Sequence, residues 1–163
     1  MPIFVNEQVK QKYKDVTNVY KIPSGIVYAI KDLKVLPFNL EHGNVENYGD
    51  MFRDSKDTFI VATDFRECYS NIFKNIFDEI YVECNWTRNL IQDYVNEAKE
   101  NRQINTHCSL DITEVFINKL NLEKCRKITL IHPSDDYCDK KLCIRRLSEK
   151  FPIVEIAFAE NLI

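Results

Sequence analysis

The stretch from Lys127 to Phe158 constrains the fold more than any other part of the chain. An apolar run, Ile128-Thr129-Leu130-Ile131, leads into the polar turn His132-Pro133-Ser134-Asp135-Asp136. A segment with apolar Leu142, Leu147 and Phe151 follows, then a second apolar run from Ile153 to Phe158. Two short β-favouring runs separated by a helix-length segment read as one βαβ unit. A crossover of that length makes its two strands parallel, and a parallel sheet needs cover on its faces.

The same grammar runs upstream. Thr58-Phe59-Ile60-Val61-Ala62 is a strand run ending in Thr63-Asp64, and Tyr69, Ile72, Phe73, Ile76 and Phe77 recur behind it at helical spacing. Glu79 to Cys84 is the next strand, and Thr87 is placed to cap a helix whose apolar face is Leu90, Ile91, Tyr94, Val95 and Ala98. Asp111-Ile112-Thr113-Glu114 has capping-box spacing and leads into Val115, Phe116 and Leu120. Before residue 58, Val9, Tyr13 and Val16 allow a short helix. Ile26 to Ile30 forms a strand whose hairpin partner is Lys34-Val35-Leu36, ended by Pro37, while Asn39 to Asp57 reads as a long loop. The expected architecture is one α/β domain over residues 1–163. Residues 58–163 form a three-layer core on a mostly parallel, Rossmann-like sheet, and residues 1–57 form an N-terminal β-rich extension and loop.

Composition removes several function classes. At 163 residues a single domain buries roughly 70% of its unfolded surface. A net charge of −3 offers no global positive field for nucleic acid. Met1-Pro2-Ile3-Phe4-Val5, followed by Asn6, Glu7 and Gln8, is not a secretory leader, and no apolar run reaches the ~20 residues a membrane helix needs. The six cysteines are therefore expected as reduced thiols in a soluble, cytoplasmic protein. They include no Cys-x-x-Cys pair, so no zinc knuckle is expected. The only glycines are at 25, 43 and 49, which rules out a Gly-rich phosphate loop in the core, and no Gly-x-Ser-x-Gly elbow occurs.

In open parallel sheets, sites lie beyond the carboxyl ends of the strands. Asp64 ends one strand run, Asp135 and Asp136 follow another, and Asp111 opens a helix on the same side. Carboxylates sharing a crevice repel one another, and a hard cation, Mg²⁺ or Mn²⁺, relieves that repulsion while positioning water against a phosphodiester. Each acid also has a capping reading, since Asp111, Asp64 and one of Ser134, Asp135 and Asp136 precede helical segments. Lys140, Lys141, Arg145, Arg146 and Lys150 crowd the last helix and suit phosphate contacts, with Trp86 placed to stack on a base. The same cations equally suit a solvated helix face. His107-Cys108-Ser109 matches half of the paired His-x-Ser/Thr signature of 2H phosphoesterases, with His42-Gly43-Asn44 a poor second half. His107 or His132 beside a thiol would make a Cys–His nucleophile pair; Cys68 is the candidate for an acidified thiol, with a buried, inert cysteine as the default reading.

Asp64 at a strand end, the acid in Leu110-Asp111-Ile112-Thr113, and the Ile128-to-Asp136 strand and turn together resemble PIN/NYN-type ribonucleases over about residues 58–158. That resemblance implies a metal-dependent nuclease acting on RNA. Asp64, Asp135 and Asp136 would be its metal ligands, and Asp111 a fourth catalytic acid. Two other readings stay open. One is a non-enzymatic regulatory module that engages a protein partner or self-associates through the N-terminal extension. The other is a nucleotide or small-ligand sensing domain.

Overall fold

The computed structural model describes residues 2–91, 97–151 and 154–158. At the N-terminus, β1 (Ile3–Val5) and β2 (Val19–Lys21) pair in parallel around α1 (Glu7–Lys12), where the expected short helix starts at its Asn6 cap. The main sheet has seven strands in sequence order: β3 (Tyr28–Ile30), β4 (Leu33–His42), β5 (Val45–Arg53), β6 (Thr58–Ala62), β7 (Glu79–Glu83), β8 (Lys127–Ile131) and β9 (Glu155–Phe158). Pairings from β3 to β6 are antiparallel, and those from β6 to β9 are parallel.

The chain is thus mixed α/β, but the sheet is not the mostly parallel, Rossmann-like one expected. Half of its pairings are antiparallel, and its strand order never reverses as a doubly wound sheet does. Right-handed crossovers that always step the same way leave their helices on one face. The packing agrees. Ile60, Ala62, Ile80, Val82, Ile128 and Leu130 are buried in one core with Phe116 and Ile117 of α4 (Leu110–Lys119) and with Cys143 and Leu147 of α5 (Lys140–Lys150). On the opposite face Phe59, Val61 and Tyr81 are only half-buried, so the described residues form two layers here rather than three.

The supposed loop from Asn39 to Asp57 is the long β4–β5 hairpin. His42 pairs with Val45 across a two-residue turn whose first residue, Gly43, has φ +58, a conformation glycine adopts at no steric cost. Polar Asn39, Glu41, Glu46 and Asn47 hid the alternation of Leu36, Phe38 and Leu40 on the core face. Pro37 does not end β4. Its carbonyl accepts from Gly25 N–H on the β3 side, so its missing N–H falls on that side too, past the end of β3.

Other boundaries moved. The Tyr69–Phe77 segment contains one 3₁₀ turn, Asn71–Lys74, instead of a helix, and just before it residues 66 and 67 are hydrogen-bonded to Glu41 of β4. α4 begins at a Ser109 cap, two residues before Asp111. Thr87 precedes α2 (Arg88–Ile91), but its hydroxyl accepts from Asp139 N–H and faces the Tyr137 carbonyl instead of capping the helix. Tyr94 and Val95 lie outside the described residues, and Ala98 falls in α3 (Glu97–Thr106).

Gly49 faces Phe38 across the hairpin, and a Cβ there would come within 2.7 Å of Phe38 Cε2 and 3.0 Å of Leu40 Cδ1. Both neighbours are buried, so they cannot swing away freely. Gly49→Ala should therefore lower stability by about 1–3 kcal/mol, read as a shift in the urea midpoint. An unchanged midpoint would refute this packing.

Candidate metal centre

Glu83, the last residue of β7, is completely buried. A buried carboxylate is tolerated only when its oxygens are hydrogen-bonded or paired. Here Oε2 accepts from the backbone N–H of Phe65 at 2.9 Å and of Cys108 at 3.4 Å. Oε1 lies 2.7 Å from His107 Nδ1 and 2.9 Å from His132 Nδ1. Burial pushes the Glu83 pKa up, yet the hydrogen bonds from His107, His132 and Phe65 outweigh it and hold the carboxyl below its ordinary value. The hydrogen bond to Glu83 raises the His132 pKa, against its own partial burial and with help from Asp64.

Asp64 completes the group. Its Oδ1 stands 3.5 Å from His132 Nδ1 and 3.7 Å from His107 Nδ1. Donor atoms of Asp64, Glu83, His107 and His132 all lie within 4.8 Å of one another. Two imidazoles and two carboxylates at that separation form a ligand set for a divalent metal.

Local backbone features put these side chains there. Asp64 and His132 follow β6 and β8, and both have left-handed backbones, with φ of +54 and +55. Non-glycine residues at positive φ are sparsely populated and persist when their surroundings hold them. Asparagine amides do so at both places. Asn47 Nδ2 donates to the Thr63 and Asp64 carbonyls at 3.0 and 2.7 Å, and Asn85 Nδ2 donates to the His132 carbonyl at 2.8 Å. His107 is fixed by the bridge between Trp86 and Ser109 and by Trp86 Nε1, which donates to its carbonyl at 3.1 Å. His42, ending β4, stands edge-on to His107 with ring centroids 5.3 Å apart. Its Nδ1 is 2.8 Å from the Thr106 carbonyl. A carbonyl only accepts, so that nitrogen is the donor.

Of the four acids expected at the site, only Asp64 joins this cluster. Asp135 and Asp136 are exposed, and Lys140 stands 3.9 Å from Asp135. Asp111 pairs with Arg146 at 2.7 Å and with Arg88 at 3.5 Å. On α5 Arg146 and Lys150 are taken up by Glu114, while Lys141 and Arg145 are exposed. Trp86 is buried and spends its N–H on His107, so it is not the exposed stacking platform expected. Cys68 is not acidified: burial raises its pKa. The sequence reading missed Glu83, which looked like an ordinary strand residue, and gave the two histidines other roles. The detectable signal was a glutamate at the end of an otherwise buried strand.

No family model matches the chain, and no curated protein sequence matches it. Solved structures do. The metallo-β-lactamase fold protein YhfI from Bacillus subtilis aligns with a TM-score of 0.71 at 14% identity, over 98% of this chain and 62% of that one. The fold is that of the metallo-β-lactamase proteins. Zn²⁺-bound PqqB from Methylobacterium extorquens aligns with a TM-score of 0.66 at 8% identity, over 99% of this chain and 64% of its own. A diphosphatase of the PhnP family aligns with a TM-score of 0.63 at 18% identity, over 99% and 56%. The chain therefore spans less than two thirds of the length of each of these three proteins. These matches overturn the PIN/NYN resemblance, which rested on the spacing of acids that the sheet does not bring together.

The two shifted groups define a pH window for the metal-free protein. Glu83, with its depressed pKa, contributes stability above the ordinary glutamate range and loses it as pH falls through the folded value. His132, with its raised pKa, contributes below the ordinary histidine range and loses it as pH rises through the folded value. Stability should therefore peak in mildly acid solution. Glu83→Gln sets an amide N–H₂ against at least one existing donor. The substitution should cost about 1–3 kcal/mol and flatten both limbs of the profile. A pH–stability curve identical to that of the unsubstituted chain would contradict this network.

Proposed function

We propose that the chain carries the metal centre of a hydrolase acting on phosphate esters. The observation that supports this is the convergence of Asp64, Glu83 and His132, at the carboxyl ends of the adjacent parallel strands β6, β7 and β8, with His107 from the turn before α4. The donor set fits a metal, because donor atoms of two carboxylates and two imidazoles already lie within 4.8 Å of one another. An all-carboxylate site would favour Mg²⁺ or Mn²⁺. Two imidazoles shift the preference to Zn²⁺ or Fe²⁺.

Asp64, His107 and His132 would hold the ion. Glu83, whose Oε1 accepts at both Nδ1 atoms, would keep the two rings in place beside Asp64. The ion, when bound, lowers the pKa of its water and neutralises charge developing on a phosphoryl oxygen. His42, with its proton fixed on Nδ1, offers Nε2 as a proton acceptor one ring away from His107. The fold shared with a PhnP-family diphosphatase supports phosphate chemistry over other hydrolytic substrates. RNA is one phosphodiester among several that such a site would accept.

Chelator-treated protein should hydrolyse bis-p-nitrophenyl phosphate only after Zn²⁺ or Fe²⁺ is restored, with an RNA oligonucleotide as the parallel substrate. Asp64→Asn and His132→Gln should each lower kcat/KM by on the order of 100-fold. Asp135→Asn should leave it unchanged. Hydrolysis indifferent to chelation, or an equal loss in Asp135→Asn, would reject this function.

A further inference from the structure

The helix face of the sheet holds a second convergence, which the hydrolytic site does not use. Cys84 directly follows Glu83, Cys138 lies in the connection between His132 and α5, and Cys143 sits on the inner side of α5. The Sγ atoms of Cys84 and Cys143 are 3.4 Å apart and those of Cys138 and Cys143 are 3.8 Å apart. All three sulfurs fall within 4.8 Å of one another, all are buried, and all are free thiols.

Thiolates bound at about 2.3 Å and spread tetrahedrally or trigonally around one ion stand about 3.8–4.0 Å from each other. The two sulfur separations to Cys143, 3.4 and 3.8 Å, lie at or just under that spacing, and the third is within 4.8 Å. Of the other core thiols, Cys108 Sγ donates to the Phe65 carbonyl and Cys125 Sγ to the Lys127 carbonyl; within the triangle Cys138 Sγ also donates to the Cys84 carbonyl at 3.5 Å. Within the triangle, hydrogen bonds from Cys143 and Cys84 favour the thiolate at Cys138, with Lys140 adding to the effect.

We propose that Cys84, Cys138 and Cys143 form a soft-metal site, taking one thiophilic ion such as Zn²⁺ or Cu⁺ as a trithiolate and releasing the thiol protons to solvent. The site shares no ligand with the Asp64–Glu83–His107–His132 cluster. It ties the segment after His132 to the end of β7, and so braces two elements of that cluster from behind. The absence of a Cys-x-x-Cys pair did not reveal it, because Cys84 arrives from a different part of the chain.

The test is a titration of the reduced full chain with Cd²⁺ under anaerobic conditions, read by the ultraviolet thiolate-to-cadmium charge-transfer band. The band should saturate at one equivalent, persist in Asp64→Asn and in Cys125→Ser, and be lost in Cys143→Ser. Cys138→Ser, at the edge of the core, gives a second variant should Cys143→Ser fail to fold, and it should lose the band too. No band in the unsubstituted chain, or a band that survives Cys138→Ser, overturns the proposal.

Discussion

The burial of one carboxylate organises the functional end of this protein. An ionised glutamate removed from water is costly unless donors replace the lost hydration. Glu83 meets four: two backbone N–H groups, from Phe65 and Cys108, and two imidazole nitrogens, from His107 and His132. Those donors come from the segment after β6, the turn before α4 and the residue after β8. One side chain therefore ties together three neighbouring parts of the chain that sequence separates by tens of residues. Thr113 Oγ1, which donates to the Glu83 carbonyl at 2.7 Å, adds the first turns of α4 to the same knot.

The arrangement has an evident cost in backbone strain. Asp64 and His132 leave their strands in left-handed conformations that L-residues seldom adopt. Each is held by an asparagine from an adjacent segment, Asn47 or Asn85, whose amide takes the carbonyl that the sharp turn withdraws from the sheet. The turns then direct Asp64 and His132 toward Glu83. Strain at these two positions, paired with dedicated hydrogen-bonding partners, is the pattern expected where geometry serves chemistry.

The strands from Thr58 onward were legible because short β-branched runs bounded by turns leave few alternatives. Looking for candidate residues at the carboxyl ends of parallel strands was also legible, and Asp64 is part of the cluster there. The rest of the cluster was not, because which acids converge depends on strand order and on pleat. Asp135 and Asp136 are near His132 in sequence but face solvent, whereas Glu83 faces inward at the end of β7. The β4–β5 hairpin was hidden by its polar outer face, and with it the position of His42 beside the site. Successive strand residues point to opposite faces, so Glu83 and Cys84 serve two different clusters from adjacent positions. Nothing in a linear reading of Glu83-Cys84 separates those roles.

The account depends on the imidazoles and carboxylates around Glu83 sharing one ion. Anomalous scattering at the zinc edge from crystals grown with Zn²⁺ measures this directly. The expected result is a peak bonded to Asp64 and His132 at about 2.0–2.2 Å. A protein that binds zinc only elsewhere, with the Asp64–His132 pocket holding water alone, would contradict it.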